Sequence, residues 1–111
     1  MKKSCLAVDL INNPGLIAEY ENWHKKENAG PVIMKSISNS GIHNIEIYRT
    51  CNRLIMVMET DDDFSFESKA AMESTNQLGH QWEELMWKFQ QPLPWAEQRE
   101  KWILMNRIFQ L

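Results

Sequence analysis

Two alternating apolar segments separated by a very short connection constrain this sequence most. Ile42–Arg49 places Ile45 and Ile47 on one side and polar residues on the other, and Leu54–Thr60 is rich in Met, Ile and Val. Thr50–Asn52 forms a short connection between them, followed by Arg53. Two strands joined by so few residues form a β-hairpin. The sequence therefore predicts an antiparallel sheet built around this hairpin.

A further strand and a helix are predicted before the hairpin. Ser4–Ile11 alternates loosely and ends at a cluster of Asn, Pro and Gly, which is typical of a strand followed by a turn. Asn13 suits the cap of a helix, and Pro14 suits its first turn. Apolar residues spaced three and four apart then predict a helix over 16–26.

The rest of the chain is predicted to form three helical segments and a closing strand. Gly30-Pro31 ends the first helix, three clustered aspartates suit a helix N-terminus, and Pro92 ends the last helix. The predicted elements are a short helix at Val32–Ser38, a helix at Phe64–Glu73 capped by Asp61–Asp63, a longer helix at Gln77–Gln90, and a strand at Ile103–Leu111.

The order of the main elements is β-α-β-β-α-β. This is the ferredoxin-like arrangement of the α+β class, in which helices cover one face of a four-stranded antiparallel sheet. With 111 residues and no linker or repeat, the chain is expected to form one domain over 1–111. The second face of the sheet would carry large apolar side chains, so we expect it to pack against an identical sheet in a homodimer.

Composition and spacing exclude several classes of function. The net charge of −3 offers no basic surface for nucleic acid, and no apolar run approaches the length of a membrane helix. The two cysteines, Cys5 and Cys51, lack any paired spacing and suit free thiols in a reducing cytoplasm. The histidines, His24, His43 and His80, lack metal-ligand spacing, and no glycine-rich phosphate loop is present. We expect no metal, no cofactor, no nucleic acid and no membrane partner.

Tyr20 and His24 are the most informative pair of polar side chains. They lie four residues apart, so they share one face of the first helix, and this face is also apolar. One interpretation is a core histidine with its hydrogen bonds satisfied. The other is a general acid/base in a pocket, because imidazole both gives and takes protons near neutral pH.

The tryptophans leave a similar choice open. Trp82 follows the apolar stripe of the last helix, whereas Trp87 lies off that stripe near Glu83. Indole rings beside carboxylates are typical of sugar sites, where the ring packs on C–H groups and the carboxylates bind hydroxyls. A dimer interface also favours Trp, and composition does not separate the two.

The order and spacing of several short motifs, spread over nearly the whole chain, resemble the L-rhamnose mutarotase family. These motifs are Glu19-Tyr20-x-x-x-His24, Pro31, Gly41-x-His43-Asn44-x-x-Ile47-Tyr48, Asn52-Arg53-Leu54 and Gln81-Trp82. The resemblance implies a dimeric α+β barrel of ferredoxin-like subunits that interconverts the α and β anomers of a free 6-deoxy-L-sugar. It also implies that His24 is the proton donor and that Tyr20 and Trp82 bind the monosaccharide.

The reaction requires one proton donor and one acceptor, and no metal, cofactor or covalent nucleophile. Besides His24, the second group could be Tyr20, Glu46, Glu83 or a water molecule. The predicted substrate-binding residues are therefore Tyr20, Trp82, Trp87, Glu83 and Glu46.

Three positions depart from the pattern that the resemblance implies. Ile45 replaces an aromatic residue, Glu83 replaces the second Trp of a Trp-Trp pair, and Gly30 replaces a Trp before Pro31. All three lie where the sugar would be contacted, so we favour L-fucose over L-rhamnose as the substrate. Two alternatives remain: a cofactorless oxygenase built on the same fold, and a non-catalytic domain that binds a small ligand or a partner.

Overall fold

The computed structural model describes residues 1–25, 41–66, 77–97 and 100–111, with the backbone alone for 77–80. The predicted break at Gly30-Pro31, the short helix at Val32–Ser38 and most of the helix at Phe64–Glu73 lie outside these residues. Of that last helix only its start is described, where Phe66 is the first helical residue.

The described chain forms two helices and an antiparallel sheet. In chain order the elements are β1 (Lys2–Leu10), α1 (Pro14–Trp23), β2 (Ile42–Thr50), β3 (Arg53–Thr60), α2 (Gln77–Trp87), β4 (Gln90–Gln91) and β5 (Ile103–Leu104). The strands lie in the order β2-β3-β1, and β4 and β5 both pair with the other edge of β1. The predicted α+β, ferredoxin-like sheet is thus confirmed, with its fourth position shared by two short segments.

The predicted hairpin is confirmed, and its turn fastens it to β1. Strands β2 and β3 pair from Ile42↔Thr60 to Thr50↔Arg53, with one irregularity between Ile42 and Asn44. The backbone at Cys51 takes the left-handed conformation, with φ 49°. At the end of β1, Asn52 Nδ2 donates to the Leu10 carbonyl at 3.0 Å, and the Leu10 N–H donates to the Asn52 carbonyl at 2.6 Å.

The prediction of one long closing strand over Ile103–Leu111 is wrong beyond Leu104. The Met105 N–H still donates to the Cys5 carbonyl at 2.8 Å, after which the chain leaves the sheet. Neighbouring residues of a strand point to opposite faces, so the adjacent Ile108 and Phe109 cannot both reach one core. They are 96% and 78% exposed.

Helix α1 begins as predicted and ends earlier. Asn13 Oδ1 accepts hydrogen bonds from the N–H groups of Gly15 and Leu16 at 3.0 and 3.1 Å, which confirms the cap. The last helical residue is Trp23, and the His24 N–H donates to the Glu21 carbonyl at 3.1 Å. This three-residue spacing tightens the final turn, so His24 lies at the C-terminal cap of the helix and not inside it.

Helix α2 also ends before its predicted limit, which changes the environment of Gln90. The N–H groups of Lys88 and Phe89 bond three residues back, to Leu85 and Met86, and the helix gives way to a turn. Gln90 then pairs with Leu10 as part of β4. The prediction that placed Gln90 in the helix is therefore wrong, because pairing with β1 replaces the last helical turn.

The helices pack on one face of the sheet. The main core on this face consists of fully or almost fully buried side chains from both helices, two strands and the turn after α2: Val8, Leu10, Tyr20, Leu54, Met86 and Phe89. Because side chains alternate along a strand, the other face of β1 and β3 carries Ala7, Asp9, Arg53, Ile55 and Val57. We call this second surface the open face, since its side chains belong to neither buried core cluster.

No helix in the described part of the chain has the length and apolar character needed to span a membrane. Both thiols, Cys5 and Cys51, are free.

Candidate functional site

Three of the predicted site residues form an aromatic cluster where α1 and α2 meet. The rings of Tyr20 and His24 lie 4.2 Å apart between centroids, as expected for side chains one turn apart. The indole of Trp82 meets the His24 ring edge-on at 5.7 Å and the Trp23 ring edge-on at 6.4 Å. The imidazole therefore has one aromatic neighbour from its own helix and one from α2.

The position of His24 decides which of its nitrogens is available. His24 Nδ1 lies 2.9 Å from the carbonyl oxygen of Tyr20. Because a carbonyl oxygen only accepts hydrogen bonds, Nδ1 carries the proton and Nε2 of the neutral ring keeps a free lone pair. The residue is exposed on one side, while enclosure of the ring lowers the pKa of His24 and the bond to Tyr20 partly opposes that shift.

Tyr20 lies beneath this histidine and is almost completely buried, with 3% of its surface exposed. Gln90 Nε2 donates to the Tyr20 hydroxyl oxygen at 3.3 Å, and Phe89 packs edge-on at 6.1 Å. Burial raises the pKa of Tyr20 to about 12, the Gln90 bond lowers it, and the charge of Glu83 raises it. The phenol therefore keeps its proton at neutral pH and remains a hydrogen-bond donor.

Glu83 and Trp87 lie one turn apart on α2 and share a cation. Lys101 Nζ donates to Glu83 Oε2 at 2.7 Å and lies 4.8 Å from the centre of the Trp87 ring. The Lys101 side chain is only 12% exposed, whereas Trp87 remains 41% exposed. Glu83 directly follows Trp82 on α2, and Trp87 lies one turn farther along the helix.

Glu46 is not part of this cluster. Its side chain is exposed and accepts hydrogen bonds from Tyr48 and Asn44, its neighbours two residues away on β2. These three alternate with Ile45 and Ile47, which pack toward the buried cores. Glu46 therefore points toward the open face of the sheet, opposite the helices that carry His24.

Two residues near the cluster are absent from the sequence-based prediction. Gln90 bonds a residue 70 positions away, and Lys101 bonds one 18 positions away. A polar residue directly after the apolar stripe ending at Phe89 was the one signal for Gln90. Nothing in the sequence singles out Lys101 among the other basic residues.

This arrangement is suited to proton transfer on a small polar ligand. A neutral imidazole offers one free nitrogen beside an indole, with a protonated phenol and a carboxylate nearby. Indole surfaces suit the C–H faces of a sugar ring, and the polar groups suit its hydroxyls. Among the residues that the structure describes, no three His, Cys, Asp or Glu side chains are arranged to hold a metal ion.

Comparison with known proteins shows the family of this chain. The sequence model of the L-rhamnose mutarotase family matches residues 3–111. The chain is 38% identical over 111 residues to an L-fucose mutarotase of Xanthomonas campestris. The alignment covers 100% of this chain and 89% of the relative.

Two solved structures share the fold. The crystal structure of an L-rhamnose mutarotase from Formosa agariphila superposes with a TM-score of 0.71 at 16% identity, covering 100% of this chain and 99% of that one. Tetracenomycin F2 cyclase from Streptomyces glaucescens, a type-II polyketide cyclase, superposes with a TM-score of 0.58 at 11% identity and the same coverage. At these identities the two likenesses show the fold alone.

Proposed function

This chain belongs to the L-rhamnose mutarotase family, and on that premise we propose that it interconverts the α and β anomers of a free 6-deoxy-L-hexose through His24. Membership of this family identifies the chain as a carbohydrate isomerase that acts on sugar anomers. The role of His24, the identity of the sugar and the assembly of the protein are our proposals.

The geometry of His24 supports a role in moving the proton. Neutral Nε2 takes the proton from the anomeric hydroxyl O1 while the C1–O5 bond breaks, and the imidazolium then gives this proton to the ring oxygen O5. Rotation about C1–C2 presents the other face of the aldehyde, and the same steps in reverse close the ring. The proton returns to a sugar oxygen, so no other reagent is consumed.

The hydrogen bond from Nδ1 to the Tyr20 carbonyl is the observation that carries this proposal. It fixes the tautomer and the ring orientation before the sugar binds, and it remains in place when the imidazolium forms. The position of His24 at the C-terminal end of α1 also favours that transient positive charge.

The substrate-binding surface in this proposal consists of Trp82, Tyr20 and Glu83, with Trp87 at its outer end. Trp82 packs on the C–H face of the sugar, and Glu83 accepts a hydrogen bond from a sugar hydroxyl. Tyr20 packs against the His24 ring and fixes its orientation. Glu46 is left out, since its side chain lies toward the open face.

We propose L-fucose as the preferred sugar, with L-rhamnose as the second candidate. The 38% identity with an L-fucose mutarotase supports this order. Glu83 stands where the L-rhamnose mutarotase pattern has a second tryptophan, and this supports the same order. A carboxylate and an indole differ in the arrangement of sugar hydroxyls that they bind.

We propose that the protein acts as a homodimer that buries the open face. Tyr48 and Trp95 are 57% and 62% exposed, and Arg53 lies 5.0 Å from the Trp95 ring. Ile55 lies opposite Tyr48, and Val57 follows on the same face of β3; interfaces favour such a mixture of aromatic, basic and apolar groups. The chain after Leu104 also exposes apolar side chains, among them Ile108 and Phe109, and we propose that they contact the partner subunit. Light scattering is expected to give the mass of two chains, and deletion of residues 105–111 is expected to weaken the dimer.

We propose a cytoplasmic location for this activity. The two free thiols suit a reducing compartment. Immunolocalisation in the source cells tests this, and a secreted pool would contradict it.

Saturation-transfer NMR tests the activity directly. Irradiation of the H1 signal of one anomer should reduce the H1 signal of the other only when the protein exchanges them. We expect exchange well above that in buffer for L-fucose, and less for L-rhamnose. Exchange at the buffer rate for both sugars would refute the proposed function.

A further inference from the structure

Gln90 carries a buried amide that is only half satisfied. The residue is 4% exposed and lies directly after Phe89, at the edge of the main core. Its Nε2 donates to the Tyr20 hydroxyl oxygen at 3.3 Å, while its Oε1 is buried and has no hydrogen-bond partner among the residues that the structure describes. Such an unpaired acceptor lowers stability, so a buried amide of this kind calls for a specific reason.

Packing alone does not explain Gln90. Gln90 follows Phe89 and pairs with Leu10, two residues of the main apolar core. An unbranched apolar residue such as Met would fill a similar volume and would have no polar atom of its own left unpaired. Among the described residues, the side-chain amide of Gln90 hydrogen-bonds to the phenol of Tyr20.

Tyr20 connects Gln90 to His24. Its hydroxyl oxygen accepts from Gln90, and its backbone carbonyl accepts from His24 Nδ1 at 2.9 Å. Its ring also packs on the imidazole at 4.2 Å between centroids. The tilt of the phenol ring thus depends on Gln90 at one end and determines the packing surface under His24 at the other.

We propose that Gln90 is a positioning residue, which acts through Tyr20 to hold the His24 imidazole in the orientation that proton transfer requires. This inference rests on the proposed role of His24. Gln90 itself needs no contact with the sugar. Its unpaired carbonyl costs stability, and what it provides in return is a fixed Tyr20 ring, which serves catalysis.

The substitution Gln90→Met tests the inference, and Gln91→Met is its matched control. Gln91 is the next residue of the same strand, pairs with Asp9 of β1, and points to the opposite face. We expect Gln90→Met to unfold at the same or a higher denaturant concentration, because it removes the unpaired acceptor. Its anomer exchange should nevertheless fall by about fivefold to tenfold, the range that one such hydrogen bond supports. Gln91→Met should keep the rate of the unchanged protein.

A double-mutant cycle with Tyr20→Phe separates positioning from a general packing effect. In the Tyr20→Phe background the partner of Gln90 is gone, so Gln90→Met should lower the rate no further. An unchanged rate for Gln90→Met in the unsubstituted background would overturn the inference, and so would a full additional loss in the Tyr20→Phe background.

The hydrogen bond itself can be followed by NMR without an activity measurement. The chain has two tyrosines, so Tyr48→Phe leaves one ¹³Cζ signal, that of Tyr20. This signal should move with Gln90→Glu, which keeps the shape of the side chain, and stay in place with Gln91→Met. A shift with no mutarotase activity in the unsubstituted protein would refute the proposed function and leave the Gln90–Tyr20 contact established, whereas no shift would overturn the positioning role by itself.

Discussion

Replacement of His24 by alanine separates catalysis from stability in this protein. The substitution removes the Nδ1 bond to the Tyr20 carbonyl at 2.9 Å and the ring contacts with Tyr20 and Trp82. A typical intramolecular hydrogen bond contributes about 1 kcal/mol net. Because His24 is exposed on one side and ends its helix, we expect the free energy of unfolding to fall by no more than about 1–2 kcal/mol.

The expected loss of activity is larger. General acid–base catalysis contributes about 10²–10⁴-fold, which corresponds to a barrier change of roughly 3–5 kcal/mol. Within the described site, Tyr20 keeps its proton because its pKa is about 12, so it cannot take over as the base. The His24→Ala variant should therefore exchange anomers at least about 100-fold more slowly than the unchanged protein.

The measurement is the exchange rate of the H1 signals of L-fucose at fixed enzyme concentration, with chemical denaturation of the same samples. His43→Ala is the control, since His43 is a half-exposed histidine that also contacts an acceptor, Asp61. A His24→Ala variant that keeps more than half of the activity would refute the proposed base. An equal loss in His43→Ala would show that the effect is not specific to the site.

Four further predictions follow from the same contacts. Because enclosure lowers the pKa of His24, the acid limb of the rate against pH should have its midpoint below the ordinary 6.5; a limb at or above 6.5 contradicts this. The folded chain holds the Tyr20 proton to about pH 12, whereas an unfolded tyrosine loses it near pH 10. The resulting contribution to the free energy of unfolding, about 2–3 kcal/mol, is therefore complete below pH 10 and is lost toward pH 12. Tyr20→Phe should flatten that part of a plot of unfolding free energy against pH. Glu83→Trp should raise exchange of L-rhamnose relative to L-fucose in paired NMR assays, and an unchanged ratio would exclude Glu83 from sugar selection. Leu54→Ala, at a site 1% exposed, should lower the unfolding free energy by about 2–5 kcal/mol in urea while keeping the exchange rate per folded molecule.

The parts of the fold that were predictable depend on local chemistry. The hairpin of β2 and β3 follows from alternation and a short turn, and the start of α1 follows from the Asn13 cap and Pro14. Both signals involve residues close together in sequence. They therefore keep their meaning whatever the rest of the chain does.

The errors come from competition between distant segments. The end of α2 and the short β5 depend on which segment pairs with the free edge of β1, and two segments share that edge. Propensity and periodicity do not encode this competition. The alternation that predicted a strand over Ile103–Leu111 stops early. Two polar residues, Asn106 and Arg107, are followed by two adjacent apolar ones, Ile108 and Phe109, and such a sequence gives no single face to bury.

The candidate site divides in the same way. Tyr20 and His24 could be paired from their spacing alone, and the resemblance to the family added Trp82. The position of Glu46 was also readable, since it alternates with the inward Ile45 and Ile47. Glu46 was included as a candidate for the second proton-transfer group, while its place in the strand pattern indicated the polar face of the strand.

Glu83 shows what the structure adds to a departure seen in sequence. A carboxylate in place of an indole puts a negative charge directly after the half-buried Trp82, and this charge raises the pKa of Tyr20. The Lys101 side chain that donates to Glu83 at 2.7 Å is only 12% exposed, and a cation in such a position requires a partner. Glu83 and Lys101 therefore act as one unit, and a chain that changed only one of them would leave the other charge unpaired beside the site.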